Sequence, residues 1–392
     1  MKATFIARMA AAGAVAATLL GFSAASAQQP LKIGMISTLS GPAGYLGVDI
    51  RDAFQLAIEL EGGKLGGTPI TLQIEDDALK PGQGKQIAEK FLKTDGIKLL
   101  TGIVFSNVAG AVVPDILEAG GIYVSPNAAP SNFAGKDCNK NYFVVSWQND
   151  NFAEAAGQQA NDLGFKKAFI LAPNYQAGKD SLAGFKRLFK GEIAGELYTK
   201  LDQTDFAAEL AQIRDAKPDM VYQFHPGGLG ITFLKQYRQA GLEPALVVPS
   251  PSMDSTTLAA VGDVGLGVNV TSQWNSDFDN PASKKFVDAF MKKFNRVPTY
   301  YASQGYDTAL AIAAALKATG GKVDDADAFR TAMLKADFQS VRGAFKFGPN
   351  QHPIQDWYSI KVQKDESGKL GLKTVGKVLT NHGDVYAKDC KL

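Results

Sequence analysis

The sequence predicts an α/β fold of two doubly wound lobes with mostly parallel sheets, and three observations point to it. Short β-type runs alternate with helical patterns along most of the chain, the alternation restarts after residue 147, and no Pro/Ser-rich linker separates the two sets, which leaves one large domain or two lobes joined by ordered crossings. Repeated βα units place helices over a largely parallel sheet. A chain of 392 residues also exceeds what one hydrophobic core usually serves.

In the first set, 31–36 reads as a strand. Ala53, Leu56, Ala57 and Leu60 then share one helix face at the i, i+3, i+4, i+7 spacing. Residues 70–74 alternate as a strand and 86–92 read helical. A strand at 99–104, a helix at 108–117 and a strand at 122–124 follow. The second set runs helix 152–163, strand 168–171, helix 182–189, strand 193–198 and helix 206–213. It continues through strand 220–222, helix 231–240 and strand 246–248. Helices at 286–294, 302–316 and 329–334 come next, and β-rich stretches at 357–362 and 370–379 close the chain.

The N-terminus reads as an export signal. Lys2 and Arg8 are basic, residues 9–22 are apolar and uncharged, and Ala25-Ser26-Ala27 fits a small-x-small cleavage site. The exported chain would start at Gln28. The apolar stretch is short for a bilayer span, and no later segment approaches ~20 apolar residues. The whole chain holds 41 basic and 39 acidic side chains, and residues 1–27 contain two of the basic ones and no acid. The even balance that remains offers no basic face for nucleic acid and no polybasic patch for anionic lipid. A small solute is therefore the expected partner. Cys138 and Cys390, the only cysteines, are expected to pair in an oxidising compartment. His225, His352 and His382 do not cluster with them into a metal site. Asn269-Val270-Thr271 matches a glycosylation sequon but is given no weight, since such tripeptides arise by chance.

The motifs of a nucleophile elbow, a zinc protease and a phosphate-binding loop are all missing. The chain is read as a non-enzyme without cofactor or metal. Glu75-Asp76-Asp77 reads as a solvated turn or helix start rather than a catalytic pair. His225-Pro226-Gly227-Gly228-Leu229-Gly230 lies between a strand and a helix but lacks the dinucleotide spacing. Its glycines could still present N–H groups to an anion. Ser106-Asn107 falls where a strand gives way to a helix, making Ser106 an N-cap candidate at a helix end suited to a carboxylate. Ser125-Pro126-Asn127-Ala128-Ala129-Pro130 follows the next strand, leaving room and polar groups. Ligands of open α/β sheets lie beyond such strand ends. Tyr45, Phe105, Trp147, Tyr175, Tyr301 and Tyr306 also fall at strand ends or helix starts and are candidates for a pocket lining.

Ser40-Gly41-Pro42, Glu75-Asp76-Asp77, Gly96-Ile97-Lys98 and Ser125-Pro126 occur in that order, as do Tyr175 to Gly178, Arg238-Gln239-Ala240-Gly241 and Gln304-Gly305-Tyr306. Together they resemble the branched-chain amino-acid-binding proteins of bacterial ABC transporters, the type I periplasmic binding proteins, over nearly the whole exported chain. The resemblance implies a three-crossing hinge. It puts lobe one at 28–147 with 273–347, lobe two at 148–272 with 348–380, and a C-terminal tail at 381–392. It further implies a monomer in the periplasm that closes on a small ligand and serves an inner-membrane ABC permease, with no bond made or broken.

Residue by residue, the resemblance places the serine that grips the ligand carboxylate at Ser106, next to Phe105. Further contacts fall at Asn127 and Ala129, with Ala128 between them, and the family's hydroxyl residue is absent at Ala129. The first-loop aromatic falls at Tyr45 or Leu46, and the hinge aromatic at Tyr301. On lobe two a bulky family side chain is replaced by Ala177, with Tyr175 two residues earlier. The strand-end loop falls at His225, expected to meet a polar group on the ligand. Trp147 joins the set from the aromatic candidates and not from the resemblance. The family's acidic partner of a ligand ammonium falls at Pro251; Asp254 would replace it only if the loop shifts by three residues. Leu79 and Phe105 stand where the family has a cysteine pair. An ammonium left unpaired in a closed cleft would cost several kcal/mol. The ligand read from this departure is a small organic acid without an amine, an aromatic carboxylate. A branched-chain amino acid or amide is the alternative, and a periplasmic ligand-sensing module is the alternative of another class.

Overall fold

The computed structural model describes residues 29–392; the segment read as an export signal, 1–27, lies outside the described residues. Strands β1 (Leu31–Ser37), β2 (Lys64–Leu65), β3 (Thr68–Asp76), β4 (Leu99–Thr101), β5 (Ile122–Ser125) and β6 (Tyr142–Val144) form one sheet in the order β2-β3-β1-β4-β5-β6. All pairs are parallel except the β2–β3 hairpin. Helices α1 (Gly44–Leu60), α2 (Pro81–Glu89), α3 (Ser106–Glu118) and α4 (Ser131–Ala134) connect them. In α1, Ala53, Leu56 and Ala57 of the expected stripe are buried, while Leu60, the last helical residue, is exposed.

The chain then enters a second sheet through α5 (Asn149–Asp162). This sheet uses β7 (Lys167–Pro173), β8 (Glu192–Thr199), β9 (Met220–Gln223), β10 (Ala245–Pro249) and β11 (Asn269–Ser272). Helices α6 (Gln176–Leu188), α7 (Ala207–Ala216), α8 (Gly228–Gln239) and α9 (Ser255–Val261) alternate with them. Three helices, α10 (Pro281–Phe294), α11 (Tyr300–Thr319) and α12 (Ala326–Leu334), return to the first sheet, where α11 packs on α1. Strands β12 (Lys346–Phe347), β13 (Pro353–Lys364) and β14 (Leu370–His382) rejoin the second sheet, whose order is β12-β13-β11-β10-β9-β7-β8 with β14 on β13. The chain therefore passes between the sheets three times, near residues 145–148, 273–280 and 335–345.

Local signals start these helices. Asn280 accepts from the Ser283 N–H with Pro281 in the first turn, and Thr299 accepts from the Ala302 N–H. Gly320, at φ +61°, ends α11 in the left-handed conformation. Several elements differ from the sequence expectation for identifiable reasons. The strand expected at 99–104 stops at Thr101 because Gly102 takes φ +110°. A Cβ there would meet the Ile36 carbonyl oxygen at 2.6 Å, so only glycine fits. The sequon Asn269-Val270-Thr271 is strand β11, hydrogen-bonded between β10 and β13 and buried. Asp77, expected to be solvated, is buried; its Oδ1 accepts from the Thr38 hydroxyl and the Leu79 N–H. Asp76 likewise accepts from the N–H groups of Leu39 and Ala78. These bonds hold Ala78 and Leu79 at φ +48° and +60°, a conformation costly for side-chain-bearing residues.

Cys138 and Cys390 are bonded, with Cα atoms 5.6 Å apart. The tail expected from 381 begins within β14, which runs to His382. No helix among the described residues is long and apolar enough to cross a membrane.

Candidate ligand-binding cleft

Seven short segments, each just beyond a parallel strand's carboxyl end or at a helix start, converge on one pocket. Lobe one contributes residues 104–106 after β4, 127–128 after β5 and Tyr301 from the first turn of α11. Lobe two contributes Tyr175 and Ala177 after β7, Phe224 and Pro226 after β9 and Pro251 after β10. Trp147 and Asn149 enter from the first crossing.

The polar end is built on α3. Phe105, in extended conformation at φ −103° and ψ 137°, is the N-cap, and no side chain caps the helix. Ser106, expected as the cap, is instead the first helical residue. The shift has a chemical consequence: the first-turn N–H groups keep no intrahelical partner, and the Ser106 side chain is free to face the pocket. Asn127 donates through Nδ2 to the Val104 carbonyl at 2.7 Å, while its buried Oδ1 has no partner.

The remaining walls are aromatic. Tyr175 lies 6.3 Å from both Phe105 and Phe224, and Phe224 stacks on Phe152 at 5.1 Å. Trp147 meets Phe152 edge-on at 5.2 Å, and Tyr301 packs against Tyr300 at 4.0 Å. Burial pushes the phenols of Tyr175 and Tyr301 well above their ordinary pKa, so both stay neutral hydrogen-bonding groups. Ala128 and Ala177 keep the floor low. No charged side chain lines the pocket. A wider groove adjoins it, sharing Phe105 and Pro226 and lined further out by Pro42, Leu79, Leu201 and Leu229.

A family model described as periplasmic binding protein matches residues 30–369. The chain belongs to this family. It is an ABC-transporter substrate-binding protein of the Leu/Ile/Val-binding group, a family of transport proteins rather than enzymes. The Leu/Ile/Val-binding protein homolog 6 of Brucella melitensis is 30% identical over 372 residues, covering 91% of this chain and 93% of its own. Among solved structures, a solute-binding protein of an R. palustris ABC transporter in complex with benzoate is 32% identical with a TM-score of 0.88; the match covers 93% of this chain and all of that one. One from Rhodopseudomonas palustris BisB5 in complex with 3,4-dihydroxybenzoic acid is 29% identical with a TM-score of 0.82, covering 91% of this chain and 99% of that one.

Of the residues singled out from the sequence, the binding protein brings Phe105, Ser106, Asn127, Ala128, Trp147, Tyr175, Ala177, Pro251 and Tyr301 to the pocket. It keeps Tyr45, Leu46, Ala129 and His225 out of the lining. His225 is turned into the lobe-two core: Nδ1 bonds Gln223 Oε1 at 2.8 Å, Nε2 bonds Thr199 Oγ1 at 3.1 Å, and the ring stacks on Phe233. Burial lowers its pKa to about 3, so it is neutral. Residues that alternate in extended chain face opposite ways, so Phe224 and Pro226 reach the pocket where His225 does not. That alternation was the signal that could have found them. Val104, Asn149 and Phe152 were also missed; they flank Phe105 and Trp147 in the sequence. Leu46 is buried where lobe one approaches Gly227, and Ala129 spends its N–H on Asn149 Oδ1. Tyr306 lines a separate surface groove with Leu310 and Phe338. Gly228 permits a close approach, since a Cβ there would meet Pro42 at 3.1 Å.

Tyr45 donates across the lobes to Asp254 Oδ2 at 3.1 Å, and Asp254 Oδ1 accepts from the Thr257 N–H at 2.7 Å as the cap of α9. The acid near the position where the family pairs an ammonium is thus engaged elsewhere. Burial raises the Asp254 pKa to about 7. Its folded state therefore holds a proton that the unfolded chain, with an ordinary carboxyl, releases near pH 4. Stability from this group is largest at low pH and falls as pH rises from about 4 to 7. The Asp254→Asn variant should flatten that part of the profile, measured by thermal melts across pH 4–8; an unchanged slope would contradict the assignment.

Proposed function

We propose that this protein captures a small aromatic carboxylate in the periplasm by hinge closure and presents it to an inner-membrane ABC permease. The observation that carries the reading is the pairing of an uncharged aromatic box with an uncapped helix start bearing Ser106. Such an N-terminus, with its unpaired N–H groups and the helix dipole, favours a carboxylate. The planar remainder of the ligand would lie among Phe105, Trp147, Tyr175 and Tyr301. Pro251 offers nothing to an ammonium, and no lining acid replaces it. The benzoate and dihydroxybenzoate held by the similar proteins support the same chemistry. We further read 28–147 with 273–347, and 148–272 with 348–380, as the two bodies that swing about the crossings, in a monomer that performs no covalent step.

The names of the Brucella relatives support a second reading, a branched-chain amino acid. Titration calorimetry with benzoate, 4-hydroxycinnamate and leucine separates the two. An aromatic acid should bind well and leucine poorly. Ser106→Ala should remove one charge-assisted hydrogen bond, worth about 1.5–3 kcal/mol, or roughly a ten- to hundredfold loss of affinity. Tight leucine binding with no aromatic-acid binding would overturn the ligand class, and an aromatic acid indifferent to Ser106→Ala would overturn its orientation.

A further inference from the structure

Asn149 opens α5 at the first crossing, and its carboxamide touches both lobes. Its Nδ2 donates one proton to Ser106 Oγ at 3.0 Å and the other to Asp180 Oδ2 at 3.1 Å. Its Oδ1 accepts from the Ala129 N–H at 3.2 Å. These partners fix which end of the amide is nitrogen. A flipped group would set oxygen against the Asp180 carboxylate and NH2 against another donor.

Because Ser106 Oγ accepts from Asn149, its own proton is left for something else. No acceptor for it occurs among the described residues. The hydroxyl of a pocket-lining serine is therefore set as a donor before any ligand arrives. Asp180, on α6 of lobe two, carries the second half of the device. It also accepts from the Ser131 N–H at 3.1 Å, the Ser131 hydroxyl at 2.7 Å and Gln176 Nε2 at 2.8 Å. Ser131 starts α4 of lobe one, so these bonds span the cleft. Asp180 is buried and forms no salt bridge among the described residues; hydrogen bonds alone satisfy it.

We propose that Asn149 is a positioning residue that sets the Ser106 hydroxyl as donor to the ligand carboxylate and, by sharing its amide with the Asp180–Ser131 contact, couples occupancy of that site to lobe closure. This rests on the reading of Ser106 as the carboxylate-binding serine. Asn149 also borders the pocket, and the role proposed for it acts through Ser106 on one side and through the inter-lobe carboxylate on the other.

The test is a double-mutant cycle with benzoate as probe. Ser106→Ala and Asn149→Ala should each weaken binding about tenfold or more. Asn149→Ala should cost clearly less in the Ser106→Ala background than in wild type, because the part that acts through Ser106 is already lost and only the part through Asp180 remains. A merely structural role for Asn149 would instead multiply the two losses, and that outcome overturns the proposal. If wild type takes leucine rather than benzoate, the aromatic reading fails while the same cycle, run with leucine's carboxylate, still decides this one. Asp180→Asn keeps the side chain's shape and strands no cation, so it reads the second half even if Asn149→Ala does not fold. With saturating ligand it should keep a larger radius of gyration than wild type in small-angle scattering. Full closure with affinity within twofold of wild type would overturn the coupling.

Discussion

Replacing Arg342 by alanine is expected to lower the unfolding free energy by about 3–5 kcal/mol, the range for removing one partner of a buried ion pair. Arg342 and Asp307 are almost wholly buried, with Nε 2.9 Å from Oδ2. Burial alone would drive the guanidinium toward neutrality, and its pKa is lowered; the Asp307 carboxylate opposes that shift. The arginine also donates through Nη1 to the Ser146 carbonyl at 3.0 Å and to Gln355 Oε1 at 2.7 Å, and Gln355 Nε2 bonds the same carbonyl. Asp307 meanwhile accepts from the Ser340 hydroxyl and the Val341 N–H. One side chain thus joins α11, the first crossing and β13, which are parts of both lobes and of the hinge. Truncation leaves a buried carboxylate without its cation and a carbonyl short of a donor. Urea denaturation of Arg342→Ala against wild type measures the loss, and a change under 1 kcal/mol would refute it. Asp307→Asn keeps the shape and removes the charge, so it should cost less in a background of Arg342→Met than in wild type.

That ion pair was not legible in the sequence, and the reason is physical. Asp307 and Arg342 lie 35 residues apart in segments of different kinds, and nothing local marks either as buried. Strands and helices were legible because period-2 and period-3.6 patterns are written within a few residues, as in β3 and in the α1 stripe. Elements too short to show a period, such as β2, β11 and α9, were passed over. Helix starts were placed late, at 182 instead of Gln176 and 231 instead of Gly228. Those first turns carry glycine and polar residues that serve the cleft rather than the core. The same division holds for the pocket. Strand-end loops pointed to Ser106 and Asn127, since ligands of such sheets lie there, and the family resemblance pointed to Pro251. The direction of His225 depended on the pleat of one strand end, and the partnership of Tyr45 with Asp254 on the meeting of segments 209 residues apart. Neither is encoded by residues adjacent in sequence.

Breaking the Cys138–Cys390 bond is expected to cost stability on a similar scale while leaving the cleft intact. The bond closes a loop of 252 residues. In the chain-entropy model a loop of this length restricts the unfolded state by about 5 kcal/mol, and removal of native disulfides typically costs about 2–5 kcal/mol. The folded tail has other holds. Tyr386 donates to Asp150 Oδ2 at 2.9 Å and receives Arg187 Nη2 at 3.2 Å. Asn350 Nδ2 reaches Asp384 Oδ2 at 2.8 Å. The reduced protein should therefore keep its native packing near residue 390, and the loss should appear as a lower urea midpoint. None of the residues around the bond lines the pocket, so benzoate affinity of a Cys138→Ser/Cys390→Ser variant should stay within about twofold of wild type. An unchanged midpoint on reduction would mean that the unfolded chain gains little freedom from the cut. A collapse of affinity at unchanged stability would mean that the bond sets the lobe arrangement, since Cys138 follows α4 on lobe one while Cys390 ends the tail that follows β14 of the second sheet.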